Sequence, residues 1–537
     1  MGSSIARNAE RLLYRLLGVS GTRTGYTRTP VRIPMRDGVE LGADLYRPAG
    51  DPAGTLLVRG PYGRGLAFSL LLARIHAARG YQVLFVSSRG TADSAGEFDP
   101  MRDEVSDGHD VVGWMREQPW FTGSFGTLGL SYLGFTQWAL LADPPPELRA
   151  AVISVGPHDF SRHTWGTGAF NLDLLSWSDM IVRQRDEQGP LALLRQGKAR
   201  REVRELMDRL PLADAADERF AGRAPWFRYR ATHPDLTDPY WAPMQLDAAL
   251  DRASVPVLLI GGWQDIFLTQ TVEQYERLRG RGGDVALCVG PWTHVEVMSK
   301  GARTTTAQTL DWFDQKLAGR PGHRAAPVRI FVTGAREWRD LPAWPPEATD
   351  EILHLNPGGF LYGTAADAGT AAFTFDPAVP TPTVGGPLLA GGGVVDDSEL
   401  AARPDVLAFT GRALNFDLEV IGAPEVELVH STDNPHADLF VRLSEVDDNG
   451  RSRNVTEAYV RLDPAREPGP VRLTLRPTAH RFRAGHRIRL LIAGASHPQF
   501  ARNLGTDENP GTGAESKPAT HTVHHVGSSL RLPVTRH

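Results

Sequence analysis

The sequence predicts an α/β protein with a helical insertion, followed by a separate all-β domain. Three observations carry that reading. Between about residues 29 and 155, short apolar runs alternate with helical segments. From 160 to 250, helical periodicity rich in Trp, Arg, Asp and Leu replaces the strands. From about Ala326, short strand-like runs are separated by Gly, Pro, Asp and Asn turns, and no long helix is credible. At ~100–200 residues per domain, 537 residues suggest about three domains. The expected boundaries are 1–155 and 251–322 for the two parts of the α/β core, 156–250 for a helical cap, and 323–537 for the β-sandwich.

Each element has its own signal. TPVRIPMRDGVELGADLYRP contains two alternating runs around Arg36-Asp37-Gly38, a hairpin signature. TLLVRGPYG reads as a buried strand ending in a Gly/Pro loop, and SLLLARIHAARG as a helix. YQVLFVSSRG is a second buried strand, residues 103–117 a helix, and FGTLGLS another strand. Strands spaced this way form a mostly parallel sheet covered on both faces. After the insertion the pattern resumes with VPVLLIGGWQD, a helix around TVEQYERLR, VALCVGPWTH and the amphipathic TLDWFDQKLAG. PVRIFVTG, EILHLN, PEVELVHST, ADLFVRLSEV, PVRLTLRP and HRIRLLIAG supply the strands of a sandwich or jelly roll. The Gly-, Ala-, Pro- and Thr-rich stretch 364–398 reads as a surface excursion.

Composition excludes several classes. A net charge of −5 over this length creates no field that would recruit nucleic acid or an anionic membrane. Cys288 is the single cysteine, in a strand-like run, so there is no internal disulfide and no argument for an oxidising compartment. Arg7, Glu10, Arg11 and Arg15 break the N-terminal segment, which is therefore no secretory signal. Its apolar residues Ile5, Ala9, Leu12, Leu13, Leu16 and Leu17 share one helical face, expected to pack on the body. No stretch is long and apolar enough to span a bilayer. The expectation is a cytoplasmic protein with no nucleic-acid or membrane partner; whether it forms a homo-oligomer stays open.

The chemistry begins at GTLGLSYLGFTQW, residues 126–138, where Ser131 stands between an apolar strand and a helix. A serine on a sharp strand-to-helix turn is the geometry of a nucleophile elbow, and small residues flank it because the helix must pass close to the sheet. Here the pattern is Gly129-Leu130-Ser131-Tyr132-Leu133-Gly134, with the second glycine one place later than in G-x-S-x-G. A serine hydroxyl needs an imidazole to take its proton, and the imidazole needs a carboxylate to set its tautomer. Asp265 follows one predicted strand, 134 residues after Ser131, and His294 follows the next, 29 residues later. That is the serine, acid, histidine order of this fold class, with the helical insertion inside the long gap.

These residues, together with MRDGVEL, RGPYG, SRGTADSAGEFD, GLSYLGFTQW, GGWQD, GPWTH and PTAHRFRAGHRIRLLIAGASHPQF, resemble the CocE/NonD hydrolase family. That family comprises cocaine-esterase-like enzymes, α-amino-acid ester hydrolases and X-Pro dipeptidyl-peptidases, and the resemblance spans residues 35 to 500. It implies an α/β-hydrolase with a helical cap and a C-terminal jelly roll, and a serine hydrolase that needs no cofactor and no metal. It implies Ser131 as nucleophile, Asp265 as acid and His294 as base. It also implies an oxyanion hole made by the Tyr62 hydroxyl and the Tyr132 N–H. The substrate implied is a small ester or acyl compound. Still open beside the simple ester are X-Pro peptides, α-amino-acid esters and, as a non-enzyme reading, a carbohydrate-binding jelly roll on an inactive hydrolase.

There are departures and competing readings. Ser87 stands where the family usually has an acid, which leaves the ion pair of Arg89 open. Gln264 replaces a usual aromatic residue before Asp265, and Ile266 and Phe267 stand where amino-ester hydrolases carry extra carboxylates. Phe267, Gln264 and the cap residue Trp165 are the candidate substrate-pocket residues, although cap tryptophans (Trp165, Trp177, Trp226, Trp241) are more often core. Asp284 competes for the acid role, and His158 is expected to cap a loop. His521, His524 and His525 alternate on a strand, so they do not converge on a metal.

Overall fold

The computed structural model describes residues 14, 17–18, 23–186, 191–467 and 469–535. Of the apolar face expected near the N-terminus, only Leu17 falls within these, and it is buried. The others lie outside the described residues. The chain divides into two compact units. One holds the described residues up to Phe160 with Pro239–Gly262 and Gln270–Arg329; the other holds those of 161–238, Trp263–Thr269 and those from Ile330 onward.

The first unit opens with the predicted hairpin. Strand β1 (Tyr26–Pro34) pairs antiparallel with β2 (Glu40–Pro48). Gly38 takes the left-handed conformation of the turn, φ 83°. There follow β3 (Thr55–Gly60), β4 (Gln82–Ser87), β5 (Phe125–Leu130), β6 (Leu148–Ser154), β7 (Val257–Gln264) and β8 (Val285–Thr293). Their order across the sheet is β1-β2-β4-β3-β5-β6-β7-β8. β3 runs parallel to β4 and β5, β5 to β6, and β6 to β7. Every residue of β3, β4, β5 and β7 is buried, which is why these strands read as continuous apolar runs without alternation. Helices Glu104–Arg116, Tyr132–Leu141, Leu268–Gly280 and Ala302–Lys316 stand where periodicity places them.

In the second unit, residues 161–238 are helical: Asp173–Asp186, Leu191–Met207, Leu212–Phe220 and Pro225–Thr232 are the longer helices. They are fastened to the β domain. Leu172 N donates to Gln499 O and Ala213 N to Gly511 O, and His497 Nε2 lies 2.8 Å from Asp208 Oδ1. The β domain is antiparallel over most of its ladders; Asp438–Val446 pairs with both Ser452–Arg461 and Arg487–Ala493. Its core gathers Phe409, Val441, Leu443, Leu490 and Ile492. Stretch 364–398 is not a mere surface excursion. Thr370–Phe375 is a strand paired with Ala519–His524, and it buries Phe373 and Phe375 in that core. The strand is short and flanked by turn-forming residues, so its alternation was hidden in the composition.

Glu445 shows how one half-buried charge is accommodated in this domain. Its carboxylate accepts from Arg483 N at 3.1 Å, His486 Nδ1 lies 2.8 Å away, and His480 Nε2 lies 3.1 Å away. Burial works to raise its pKa, but His480, the Arg483 amide and His486 outweigh it and hold the group down at about 2. A depressed carboxylate stabilises the fold above its unfolded pKa, and that stability is lost as pH falls through the folded value. Glu445→Gln is therefore expected to lower the thermal midpoint at pH 7. The deficit against wild type should shrink between pH ~4.5 and ~2, as followed by circular dichroism.

Candidate active site

Ser131 sits between β5 and the helix Tyr132–Leu141 with φ 56° and ψ −123°. A non-glycine residue in that region is strained, and the surroundings hold it there. Ser131 N donates to Ser154 O of β6 at 2.9 Å, and its own carbonyl accepts from Gly134 N and Phe135 N. The late glycine of the elbow now has a reason. A Cβ on Gly134 would stand 2.6 Å from the Cα of Gly156, just past β6. A Cβ on Gly129 would meet that of Leu133 at 2.5 Å. The helix thus crosses the sheet at a distance that only glycine allows at both places.

His294 follows directly on β8, and its Nε2 lies 2.9 Å from Ser131 Oγ. Both side chains are buried. This is hydrogen-bond reach for transfer of the hydroxyl proton. Asp265 follows directly on β7 and is fully buried. Its Oδ2 accepts from Phe267 N at 3.0 Å, which folds the turn around the carboxylate. Asp284 stands at the other end of its strand, just before β8, with its carboxylate on Lys316 at 2.6 Å.

Tyr62 is half-buried on the loop after β3. Its ring stacks on Phe68, centroids 5.4 Å apart, and meets the edge of Tyr132 at 6.5 Å. Tyr132 opens the helix, so its N–H belongs to the first turn, where backbone donors have no partner within the helix. Its side chain is tethered: the hydroxyl accepts from Met101 N at 2.7 Å. Close by lies Glu104, buried, with Arg59 Nη2 at 2.6 Å and Ser88 Oγ at 2.9 Å. Burial raises the Glu104 pKa against the pull of Arg59. Sequence reasoning missed this support. Arg59, Ser88 and Glu104 come from three separate elements, so no local pattern announces their meeting.

The three candidate pocket residues belong to the second unit and differ in what they do. The Gln264 amide donates to Val455 O at 2.9 Å. Trp165 is core: its indole N–H donates to Arg230 O at 2.7 Å, and the ring packs on Phe170. Trp177, Trp226 and Trp241 are buried as well. Phe267 is buried with its ring 4.6 Å from that of His163. Unforeseen was Arg476, whose Nη1 donates to Asp265 O at 3.0 Å and lies 3.3 Å from Ile266 O. Burial depresses its pKa. Arg89, left open by Ser87, finds its acids elsewhere, in Asp107 and Asp37, each at 2.6 Å.

Among the described residues, His158, Asp247 and Glu273 bring ligand-type atoms within 4.8 Å of one another. Gln274 Nε2 donates to Gly156 O at 2.8 Å and lies 3.1 Å from His158 Nδ1. That leaves Nδ1 an acceptor and turns the Nε2 proton toward the two acids. Arg277 bonds Asp247 at 2.6 Å and Asp251 at 3.0 Å. The group reads as an ion network around a buried imidazole rather than a set of free ligands. The loop after β6 is capped by Gln270, whose Oε1 accepts from His158 N and Asp159 N. His521 stacks on Phe373 and lies 3.1 Å from His430.

Comparison with known proteins agrees with this architecture. Residues 37–296 match the X-Pro dipeptidyl-peptidase (S15 family) model, and residues 322–530 match the X-Pro dipeptidyl-peptidase C-terminal non-catalytic domain. The cocaine esterase of Rhodococcus sp. (strain MB1 Bresler) is 29% identical over 530 residues, covering 89% of this chain and 92% of that one. A solved α-amino acid ester hydrolase superposes with TM-score 0.79 and 25% identity, covering 95% and 97% of the two chains. An aminopeptidase from the marine sediment archaeon Thaumarchaeota archaeon shares the fold, with TM-score 0.81, 23% identity and the same coverage. No described helix is long and apolar enough to cross a membrane. With an α/β unit carrying the strand-turn-helix serine and a C-terminal all-β domain, the chain belongs to the CocE/NonD-like family of serine hydrolases.

Proposed function

We propose that this enzyme hydrolyses small carboxylic esters through an acyl-enzyme, with Ser131, His294 and Asp265 as its triad. The observation that carries the reading is the 2.9 Å contact between His294 Nε2 and Ser131 Oγ at a strained elbow. His294 takes the hydroxyl proton as Ser131 Oγ bonds to the carbonyl carbon. Asp265 orients the imidazole and stabilises the imidazolium. The Tyr62 hydroxyl and the Tyr132 N–H donate to the oxyanion. The tetrahedral adduct collapses, the C–O bond to the alcohol breaks, and His294 hands the proton to the leaving oxygen. Water then repeats the sequence on the acyl-serine, releasing the acid.

A neutral acyl group is the preferred substrate. Ile266 and Phe267 beside the acid offer nothing to an ammonium, and burying one without a partner is strongly unfavourable. Of the acids in the helical segment, Asp179 is already bonded by Arg183 at 2.7 Å and by Arg219 at 3.0 Å. Asp173 Oδ1 accepts from Leu389 N at 3.2 Å. The test is a panel of p-nitrophenyl esters matched except for an α-amino group, run beside X-Pro-p-nitroanilides at pH 7. The des-amino ester is expected to have the higher kcat/KM, by about tenfold or more, the equivalent of ~1.4 kcal/mol. A preference for the α-amino member would move the enzyme to the amino-ester or peptidase branch. Failure to take a fluorophosphonate label would point to an inactive hydrolase.

A further inference from the structure

We propose that Arg64 is a positioning residue for the oxyanion hole, acting through Tyr62. The inference rests on the oxyanion role proposed for Tyr62 and names what holds that tyrosine in place. The loop leaving β3 reads Gly60-Pro61-Tyr62-Gly63-Arg64-Gly65. The hydroxyl of a tyrosine lies far from its Cα, so a small pivot of this loop displaces the donor by a large arc. Gly63, at φ 71°, gives the loop such a pivot. Something beyond Gly63 must stop it.

Arg64 provides the stop. Its side chain is 9% exposed, and its Nε lies 3.1 Å from Asp44 Oδ2, a carboxylate fully buried on β2. Nη1 donates to Gly42 O at 3.0 Å and also to Ser87 Oγ. Nη2 donates to Asp93 Oδ1 at 2.8 Å. One planar guanidinium thus ties the Tyr62 loop to β2, to the end of β4 and to the loop after it. A planar fork with fixed donor directions suits this task, and a flexible ammonium cannot match it. The arrangement also gives Ser87 a use. The small hydroxyl in that position receives Arg64, while Arg89 takes its acids from elsewhere. From the other side, Phe68 stacks on the Tyr62 ring and Tyr132 meets it edge-on. Tyr62 is thereby held at its ring by aromatic contacts, while Arg64 anchors the chain two residues beyond it.

A double-mutant cycle on the full chain tests this, with kcat and KM for one p-nitrophenyl ester normalised to sites titrated by a fluorophosphonate. Arg64→Lys keeps the charge but loses the fork. It is expected to lower kcat by ~10–10²-fold with KM changed less than about threefold, as for a displaced oxyanion donor. In a Tyr62→Phe background the same change should cost less than about twofold, because the hydroxyl it positions is gone. An equal loss of kcat in both backgrounds overturns the inference and leaves the oxyanion reading intact. A Tyr62→Phe enzyme with normal kcat overturns the oxyanion reading and the inference with it. Should Arg64→Lys lose its near-UV circular dichroism, Ser87→Ala, which removes one contact only, carries the same cycle with the same criteria.

Discussion

Ser131→Ala is expected to lower kcat by about 10⁴-fold or more while the protein keeps its fold. The argument is local. Ser131 is held at φ 56° by the bond from its N–H to Ser154 O and by the helix that begins at Tyr132. Alanine has the same Cβ and meets the same backbone strain, so nothing in the packing distinguishes the two side chains. What disappears is the oxygen 2.9 Å from His294 Nε2, and with it the acyl-enzyme route. Residual turnover would come from the remaining electrostatic environment acting on water, which in triad enzymes is worth orders of magnitude over solution. Circular dichroism and the thermal midpoint should match wild type. A mutant that still takes a stoichiometric fluorophosphonate label at another serine would sink the assignment.

The second large effect is expected at the oxyanion. Tyr62→Phe should lower kcat by ~10²–10³-fold with little change in KM, because a donor aimed at developing charge contributes to the transition state and hardly to the bound ester. The ring itself is needed for packing: it stacks on Phe68 and touches Tyr132. Phenylalanine keeps those contacts and removes only the hydroxyl, so the measurement isolates the hydrogen bond. Normal turnover by this variant would mean that the hole is built from other groups. The Tyr132 N–H cannot be removed by mutation without proline, which would also clash with the backbone conformation of Ser131 before it.

How far the site was legible in the sequence varies by residue. Ser131 and His294 stand out in the sequence because each follows directly on a mostly apolar strand, and strand-then-residue is a local pattern. Gly134 looked like a departure, and only the approach of Gly156 explains it. Trp165 was a fair candidate for a pocket wall by composition, yet its indole is spent on Arg230 O within the helical segment. Gln264 likewise commits its amide to Val455 O, 191 residues away, which no spacing rule reaches. The strand at Thr370–Phe375 escaped notice because six residues with little aliphatic bulk give too weak an alternation.

What the sequence determined by itself is the sequential pattern: a hairpin, buried parallel strands alternating with helices, a helical insertion, an all-β domain, and the order serine, acid, histidine. These follow from periodicity and from short-range turn chemistry, both properties of neighbours along the chain. Only the tertiary structure decided which charges meet. Arg64 reaches Asp44 and Ser87 across strands, Glu104 comes beside Arg59, and Arg476 reaches the carbonyl of Asp265. Arginine side chains are long, and a buried carboxylate needs a partner from whichever element passes nearby. Proximity of that kind is set by how layers pack, and spacing along the chain carries no record of it.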